Sequence, residues 1–194
     1  MIEALPGNGL IRKLWFGESR LYRDHLLRLD AVSLRTRFGA PVSADFIERH
    51  AAGAVGAIGR DALVIGFLIE GTLHGAAELR RIGSPLSHAG EIALSVEKPW
   101  QSHGVGTALF ERALLATRNR GLTALQMRCL ADNRRMRDLA AKFGAALSFD
   151  TDGVTGAVDP PRLTPLSLLR ELLDDGHSVA RLVLDAQARL LRAA

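Results

Sequence analysis

Cysteine is almost absent from this chain of 194 residues: Cys129 is the only one, so no disulfide can form within the chain. Cys129 stands in the apolar run 124–130, which predicts a buried structural thiol rather than a nucleophile. The six histidines show none of the spacings that metal sites use. We therefore expect neither a disulfide scaffold nor a metal centre.

Long apolar runs and clustered lysines are also missing. No uninterrupted apolar stretch approaches the roughly 20 residues of a membrane-spanning helix, and the N-terminus lacks a basic segment followed by a long apolar one. The formal net charge is +4, and the basic residues, nearly all arginine, are spread along the chain. Nucleic-acid-binding chains more often carry a clustered basic stripe. The sequence thus predicts a cytoplasmic protein with no membrane partner and no nucleic-acid partner.

The chain does have the composition of a globular domain, with 47% hydrophobic and 24% charged residues. Its length suits one domain with an appended element. Pro160, Pro161 and Pro165 mark a boundary, and two leucine-rich helical runs follow them. We therefore divide the chain into a loose lead-in (1–10), a domain (11–158), and a proline-marked linker with a C-terminal helical extension (159–194).

Strand-like and helix-like runs alternate within the domain, which predicts an α+β fold. A first strand leads into three helical runs, the last of them capped by Ser43. Three strands, a helix, a strand, a helix and a final hairpin follow. The predicted strands span 11–16, 62–69, 73–82, 91–96, 123–130, 145–149 and 154–158, and the predicted helices begin near 19, 33, 43, 104 and 133.

The most informative motif joins the strand at 91–96 to a helical run that ends at Gly121. It reads Gln101-Ser102-His103-Gly104-Val105-Gly106-Thr107. Glycines at such a turn let the backbone approach a ligand closely, and the first N–H groups of the helix lie unpaired at the positive end of its dipole. The turn predicts a phosphate site, with an ordinary helix entry as the alternative. No lysine follows the glycines, as a P-loop requires, and the third glycine of the dinucleotide fingerprint is missing.

The pattern Q-x-x-G-x-G after a strand resembles the acyl-CoA pyrophosphate loop of the GCN5-related N-acetyltransferases, the GNAT family. A second segment, from Asn133 to Gly144, is similar to the family's N-x-x-M/A-x-x-L-x-x-K-x-G-F segment. The resemblance runs from about residue 10 to residue 158. It implies the GNAT fold, in which flanking helices cover a mixed central sheet that is splayed at the acyl-CoA site.

The resemblance also implies where acetyl-CoA, the expected cosubstrate, binds. The backbone of the strand before the turn would pair with the pantetheine amides, and the N–H groups of the turn would hold the pyrophosphate. Asn133 would open the helix beside the CoA arm, although a plain helix N-cap is the alternative role. The implied cofactor-binding residues are Leu94, Ser95, Val96, Gln101, His103, Gly104, Val105, Gly106, Thr107 and Asn133.

Acetyl transfer to an amine needs a group that takes a proton from the nitrogen, and a carboxylate can do this directly or through water. Glu91 starts the strand before the turn and shares a face with Ala93 and Ser95. The spacing of Glu91 from the turn resembles the bacterial protein-lysine acetyltransferase branch of the family, which implies that Glu91 is the base. Glu78, on the previous strand, is the second candidate. A solvated carboxylate at a strand end is the other interpretation of Glu91.

One position departs from the family pattern. Many members carry a tyrosine that protonates the leaving thiolate, and its place falls at Ala140, while the only tyrosine of the chain is Tyr22. Protonation by water or by another group is then expected.

Together these features predict an N-acetyltransferase that moves the acetyl group of acetyl-CoA directly to a protein lysine or a small-molecule amine. The alternative is a catalytically silent acyl-CoA-binding or regulatory module. The apolar C-terminal helices must also be covered, either by their own domain, by a second copy in a homodimer, or by a partner domain.

Overall fold

A computed structural model describes residues 5–56, 62–84, 86–150 and 153–160, together with Thr164, Leu169 and Glu171. Most of the predicted C-terminal helices therefore lie outside the described residues. The strands are β1 (Leu10–Lys13), β2 (Ala62–Ile69), β3 (Thr72–Ile82), β4 (Ala89–Val96), β5 (Ala124–Cys129), β6 (Ala146–Asp150) and β7 (Gly153–Val158). The helices are α1 (Ser19–Arg28), α2 (Ala31–Phe38), α3 (Ala44–Gly56), α4 (Val105–Asn119) and α5 (Arg134–Lys142).

The seven strands form one mixed sheet in the order β1-β2-β3-β4-β5-β7-β6. Only β4 and β5 run parallel, joined by the crossover helix α4, and the other neighbours are antiparallel. The turn between β2 and β3 is tight because Glu70 and Gly71 both adopt positive φ, at 49° and 83°. The predicted α+β class with a mixed central sheet is confirmed.

Two apolar clusters cover the two faces of the sheet. The first contains Phe110 of α4, Met136 of α5 and Ile92 of β4. The second lies beneath α1 and α3 and contains Leu26 and Ile47. Residues of β2 alternate between them, with Val64 in the second cluster and its neighbour in the first, as the two-residue period of a strand requires. A three-layer arrangement of helices, sheet and helices results.

Polar caps set where three of the helices begin. The carboxylate of Asp30 accepts from the backbone N–H of Ser33 (2.9 Å), the hydroxyl of Ser43 from Phe46 (3.2 Å), and the side-chain oxygen of Asn133 from Met136 (3.1 Å). The prediction that Ser43 caps a helix is thus confirmed. Since Asp30 is the cap, α2 begins two residues earlier than predicted.

The first strand is shorter than predicted. The chain leaves the sheet after Leu14, because Glu18 accepts the backbone N–H of Trp15 (2.8 Å) and binds the Arg12 guanidinium (2.6 Å), which folds this segment into a turn. The described part of the predicted lead-in, from Leu5 onward, contacts the domain. Leu5 packs against the first cluster, and a Cβ at Gly9 would lie 2.0 Å from the Phe67 ring.

Candidate active site

The sheet opens between its two parallel strands. β4 pairs with β3 as far as Val96, which lies opposite Gly75, but the last pair between β4 and β5 is Ile92 with Met127. The stretch from Ala93 to Val96 therefore has a free backbone edge on the β5 side. Such an edge can pair with an extended, amide-bearing ligand as an added strand would.

A tight turn follows β4 and opens α4. Ser102 and Gly104 both have positive φ, 63° and 78°. Gly104 is the N-cap and offers no side-chain cap to α4. The first backbone N–H groups of the helix, at Val105, Gly106 and Thr107, consequently have no partner within it and lie at the positive end of its dipole. A Cβ built on Gly106 would meet no protein atom within 4 Å, so its side of the turn is open.

The free edge of β4 and the glycine turn line one wall of a cleft of about 730 Å³, which we call the first pocket. Residues of α2 and of the start of α5 line the other walls. Eight of the ten predicted cofactor-binding residues line this pocket: Leu94, Ser95, Val96, Gln101, Gly104, Gly106, Thr107 and Asn133. The structure thus brings together residues that lie almost forty positions apart in the chain.

The other two predicted binding residues do not line the first pocket. Val105 is buried in the first apolar cluster. His103 is exposed, and its ring Nδ1 lies 2.7 Å from the carbonyl oxygen of Gln101. Both residues remain candidates only through their backbone N–H groups.

Gln101 has a structural role in the turn. Its side-chain amide donates to the carbonyl of Val96 (2.8 Å), and its side-chain oxygen accepts from Arg135. It thereby joins the end of β4, the turn and α5 around the first pocket. The sequence motif predicted the position of this glutamine but not these partners.

Three cationic side chains in the first pocket were missed by the sequence interpretation. Arg134, Arg135 and Lys142 all line it from α5. The Asn-Arg-Arg sequence that opens this helix was the available signal. Asp132 and Asp138 line the first pocket as well, so three cations face two carboxylates and the balance favours an anionic ligand by one charge.

Glu91 lies in a second pocket of about 460 Å³ on the α2 side of the sheet. This second pocket is lined by 36–39 at the end of α2, by Glu91 and Ala93 of β4, by 128–130 at the end of β5, and by 153–155 of β7. Thr36 lines both pockets, so they adjoin at the splayed edge of β4. Glu91 makes no hydrogen bond or ion pair to any residue that the structure describes, although its charge interacts with the nearby guanidinium of Arg37. Its carboxylate oxygens are therefore available to a ligand.

Glu78, the second candidate base, is held in a buried network. Its side chain is 4% exposed and accepts from Arg37 (2.6 Å), His50 (2.7 Å) and the Tyr22 hydroxyl (2.8 Å), while Arg80 binds its other oxygen (2.8 Å). Burial by itself would raise the pKa of Glu78, but its hydrogen bond from His50 and the charge of Arg37 outweigh burial and hold the pKa well below its usual range. Glu78 lines neither pocket.

A second buried network lies behind the free edge of β4. The Ser95 hydroxyl lies 2.9 Å from Nε2 of His25, and Nδ1 of His25 lies 3.0 Å from Glu97. His74 and Arg28 bind the same carboxylate at 2.8 and 3.0 Å. Because burial lowers the pKa of His25, the ring is neutral, donating from Nδ1 to Glu97 and accepting from Ser95 at Nε2. This network ties α1 to β4, and no local sequence pattern predicted it.

The structure does not bring a phenol to the first pocket. Ala140 is 1% exposed in the first apolar cluster and lines neither pocket. Tyr22 is fully buried, with its hydroxyl donating to Glu78, and burial raises its pKa. Cys129 was predicted to be buried; instead it is partly exposed at the end of β5 and lines the second pocket, and burial of the thiol raises its pKa.

The family model described as the acetyltransferase (GNAT) family matches residues 28–145. This range is more than half of the chain, and it includes the glycine turn and α5. The chain belongs to the GNAT family. This confirms the resemblance inferred from the two sequence motifs.

Solved structures of GNAT proteins share the fold. The GNAT domain of S. lividans PAT matches 77% of this chain and 89% of its own, with a TM-score of 0.67 and 22% identity. An N-acetyltransferase from Staphylococcus aureus matches 79% of this chain and 99% of its own (TM-score 0.59, 16% identity). The PaiA N-acetyltransferase from Thermoplasma acidophilum, solved in complex with coenzyme A, matches 78% and 98% (TM-score 0.57, 17% identity).

Two further observations concern the described residues alone. None of their helices has the length and hydropathy that crossing a bilayer demands. They also contain no group of three or more histidine, cysteine or acidic side chains that could hold a metal ion.

Proposed function

We propose that this GNAT protein is an acetyl-CoA-dependent N-acetyltransferase that transfers the acetyl group directly to an amine, either a protein lysine or a small molecule. One observation carries the proposal: two pockets adjoin at the splayed edge of β4. The first offers a free backbone edge and unpaired helix N–H groups, and the second holds the Glu91 carboxylate, which has no hydrogen bond to a described residue. Acetyl-CoA supplies an acetyl thioester, and membership of the family supports this choice of cosubstrate.

The residues of the first pocket fit coenzyme A. The unpaired N–H groups at the start of α4 suit a pyrophosphate, and the open side of Gly106 lets it approach. The backbone edge from Ala93 to Val96 suits the two amides of the pantetheine arm. Arg134, Arg135 and Lys142 add positive charge for the remaining phosphate.

In this proposal Glu91 acts as the general base. An amine in the second pocket reaches the thioester carbonyl across the edge of β4, and the nitrogen must lose a proton as the new C–N bond forms. The Glu91 carboxylate takes this proton, directly or through one water. Glu78 is less suited because four partners already occupy its oxygens and its pKa is strongly lowered.

No tyrosine is available to protonate the thiolate that leaves, since Ala140 stands at the family's tyrosine position and is buried, and Tyr22 is buried against Glu78. Water is then the proton donor. Coenzyme A thiolate is a fairly good leaving group, so this route does not prevent turnover.

A CoA-release assay with intact-mass detection tests the proposal. The full chain is incubated with acetyl-CoA and a panel of small amines and lysine-containing peptides. Acceptor-dependent CoA release with a matching mass gain on one acceptor class is the expected result. Binding of acetyl-CoA without acetylation of any amine would contradict it and would favour the silent acyl-CoA-binding module instead.

A further inference from the structure

The second pocket combines one acidic and two basic side chains. Glu91 on β4 lies opposite Gln126 on β5, and Arg128 follows Gln126 by two residues along β5. Glu91, Gln126 and Arg128 therefore share one face of the sheet. Arg128 lies beyond the last β4–β5 pair, opposite Thr155 of β7. It therefore stands roughly 7 Å along the strand from the level of Glu91, on the splayed part of the sheet.

Neither of these two side chains is held in a hydrogen bond or ion pair by the described residues, although both line the second pocket. The charge of Glu91 does interact with the guanidinium of Arg37, which lines the same pocket. Two opposite charges on adjacent strands that do not pair with each other are free to bind the two ends of a ligand.

Arg37 adds a second guanidinium to this pocket. Its side chain is 8% exposed, and one terminal nitrogen is held by Glu78 at 2.6 Å. Its Nε is buried and finds no partner. Arg37 also lines the second pocket, so its positive charge favours an anionic group there.

We propose that the acceptor is a zwitterionic small amine, with a carboxylate beside the nitrogen that receives the acetyl group. Glu91 faces the amine, and Arg128, assisted by Arg37, binds the carboxylate. This inference rests on the proposed function and selects among its acceptors. A free amino acid has this chemistry, and a pocket of about 460 Å³ has room for one.

Charge explains why other amines are disfavoured. A plain alkylamine or polyamine places only positive charge beside two guanidinium groups, which repel it and remain unpaired. A lysine side chain of a protein likewise carries no anion near its nitrogen. A carboxylate on the acceptor can accept two parallel hydrogen bonds from the guanidinium of Arg128. A lysine in place of this arginine could not bind the carboxylate in that geometry.

The test uses pairs of amines that differ only in the carboxylate: glycine and methylamine, leucine and isopentylamine, phenylalanine and phenethylamine, and lysine and cadaverine. For each pair, kcat/KM is measured at saturating acetyl-CoA with the wild-type chain and with Arg128→Met. An Arg35→Met variant is the matched control, because Arg35 is an exposed arginine of α2 that lines neither pocket. Comparing the same ratio between variants cancels the different basicity of the two amines.

We expect the carboxylate-bearing member to be preferred by the wild type for at least one pair. In Arg128→Met this preference should fall by ~10–100-fold, the effect of one charge-assisted bidentate contact, with KM for acetyl-CoA unchanged. Arg35→Met should keep the wild-type ratio. An unchanged ratio in Arg128→Met, or a wild-type preference for plain amines or peptide lysines, would overturn the inference.

Calorimetry keeps this outcome separate from failure of the proposed function. Each amine is titrated into the chain in the presence of coenzyme A, which requires no turnover. One outcome is that no amine is acetylated, yet the amino acid binds more tightly than its decarboxylated partner and Arg128→Met removes that difference. This outcome would support the carboxylate-binding site and contradict the proposed acetyltransferase activity. If neither member of any pair binds and none is acetylated, both are wrong.

Discussion

Glu78 and Glu91 lie on neighbouring strands, yet their surroundings give them opposite properties. Glu78 is surrounded by Arg37, His50 and Tyr22 in the core beneath α1 and α3, and so serves to join these elements. Glu91 has no hydrogen-bond partner within the described part of the chain and lines the second pocket. Glu78 is therefore a structural carboxylate, and Glu91 is the candidate base.

Substituting each glutamate by glutamine distinguishes these roles. Glu91→Gln removes the proton acceptor, and turnover should fall by ~10²–10⁴ with little change in acetyl-CoA affinity or melting temperature. Glu78→Gln leaves Arg37 buried without its counter-charge, which should cost about 3–5 kcal/mol of unfolding free energy. Steady-state kinetics and urea denaturation measure the two effects. A stable Glu78→Gln protein with the larger loss of turnover would mean that the roles are exchanged.

Glu97 should make stability depend on pH. Burial raises its pKa, but His25, His74 and Arg28 outweigh burial and lower the pKa to about 2, from 4.5 in the unfolded chain. A lowered carboxyl pKa stabilises the fold above the unfolded value, and this stabilisation is lost as pH falls from about 4.5 towards 2. The buried His25 acts in the same direction, because its lowered pKa makes protonation below about pH 6.5 unfavourable in the folded state.

The measurement compares melting temperatures of wild type and Glu97→Gln between pH 7 and pH 3. We expect the difference to be largest at neutral pH and to shrink as the pH falls below about 4.5, because the unfolded wild-type chain then binds a proton at Glu97 while the folded chain, with a pKa of about 2, still holds the charged form. A difference that stays constant over this range would show that the carboxylate's charge contributes nothing.

At the scale of elements, the glycine turn is best tested through Gly106. Gly104 has a φ of 78°, so any side chain there strains the backbone, whereas a Cβ at Gly106 meets no protein atom within 4 Å. Gly106→Ala should keep or slightly raise stability while lowering acetyl-CoA affinity tenfold or more by blocking the phosphate approach, and Gly106→Val should lower it further.

Gly53→Ala is the matched control for this change. Gly53 also lies within a helix, α3, and a Cβ there also meets no protein atom within 4 Å, but it lines neither pocket. Calorimetry with acetyl-CoA should show wild-type affinity for this variant. Equal affinities for the Gly53 and Gly106 variants would mean that the phosphates bind elsewhere.

The sequence predicted local features of the elements better than contacts between them. The caps at Ser43 and Asn133 and the glycine that ends α5 depend on neighbours within a few residues, so pattern reading located them. The contact between His25 and Ser95 joins residues 70 positions apart. No local sequence pattern specifies this contact, because a histidine on an apolar helix face can bind many different partners. For the same reason the partners of Glu78 and Gln101 could not be predicted.

The local sequence pattern also failed to predict two other features, the partial exposure of Cys129 and the early end of β1. Cys129 stands in an apolar run, but the splay of β4 from β5 opens the sheet beside it. The chain leaves the sheet after Leu14 because Glu18 engages Arg12 and the backbone of Trp15. Both outcomes follow from tertiary neighbours that override strand propensity.

At the scale of the whole molecule, one contact shows how the segment after the proline boundary meets the domain. Glu171 is 7% exposed and binds Lys13 of β1 (2.5 Å) and Arg120 after α4 (3.3 Å), and it accepts from Asn119. These partners lower the pKa of Glu171 against the effect of burial. Of the three ways to cover the C-terminal leucines, this contact favours packing on the chain's own domain.

Glu171→Ala tests that packing without removing any apolar surface. Loss of a carboxylate with three donors should cost about 1–3 kcal/mol of unfolding free energy. Glu111→Ala is the control, because Glu111 is an exposed glutamate of α4 without a described partner and should change stability by less than about 0.5 kcal/mol. Urea denaturation of the two variants gives the comparison.

Truncation before Pro160 then removes the whole segment, with light scattering as the second measurement. If the segment packs on its own domain, the full chain and the truncated chain are both monomers, and the truncated chain melts at a lower temperature than Glu171→Ala, because apolar burial of ~25 cal/mol per Å² is lost besides the ion pairs. A dimer that becomes a monomer on truncation would instead assign the leucines to a subunit interface. If Glu171→Ala and the truncated chain both keep the oligomeric state and the stability of the full chain, the segment packs neither on its own domain nor on a second copy in solution. The segment would then serve to join this domain to a separate partner.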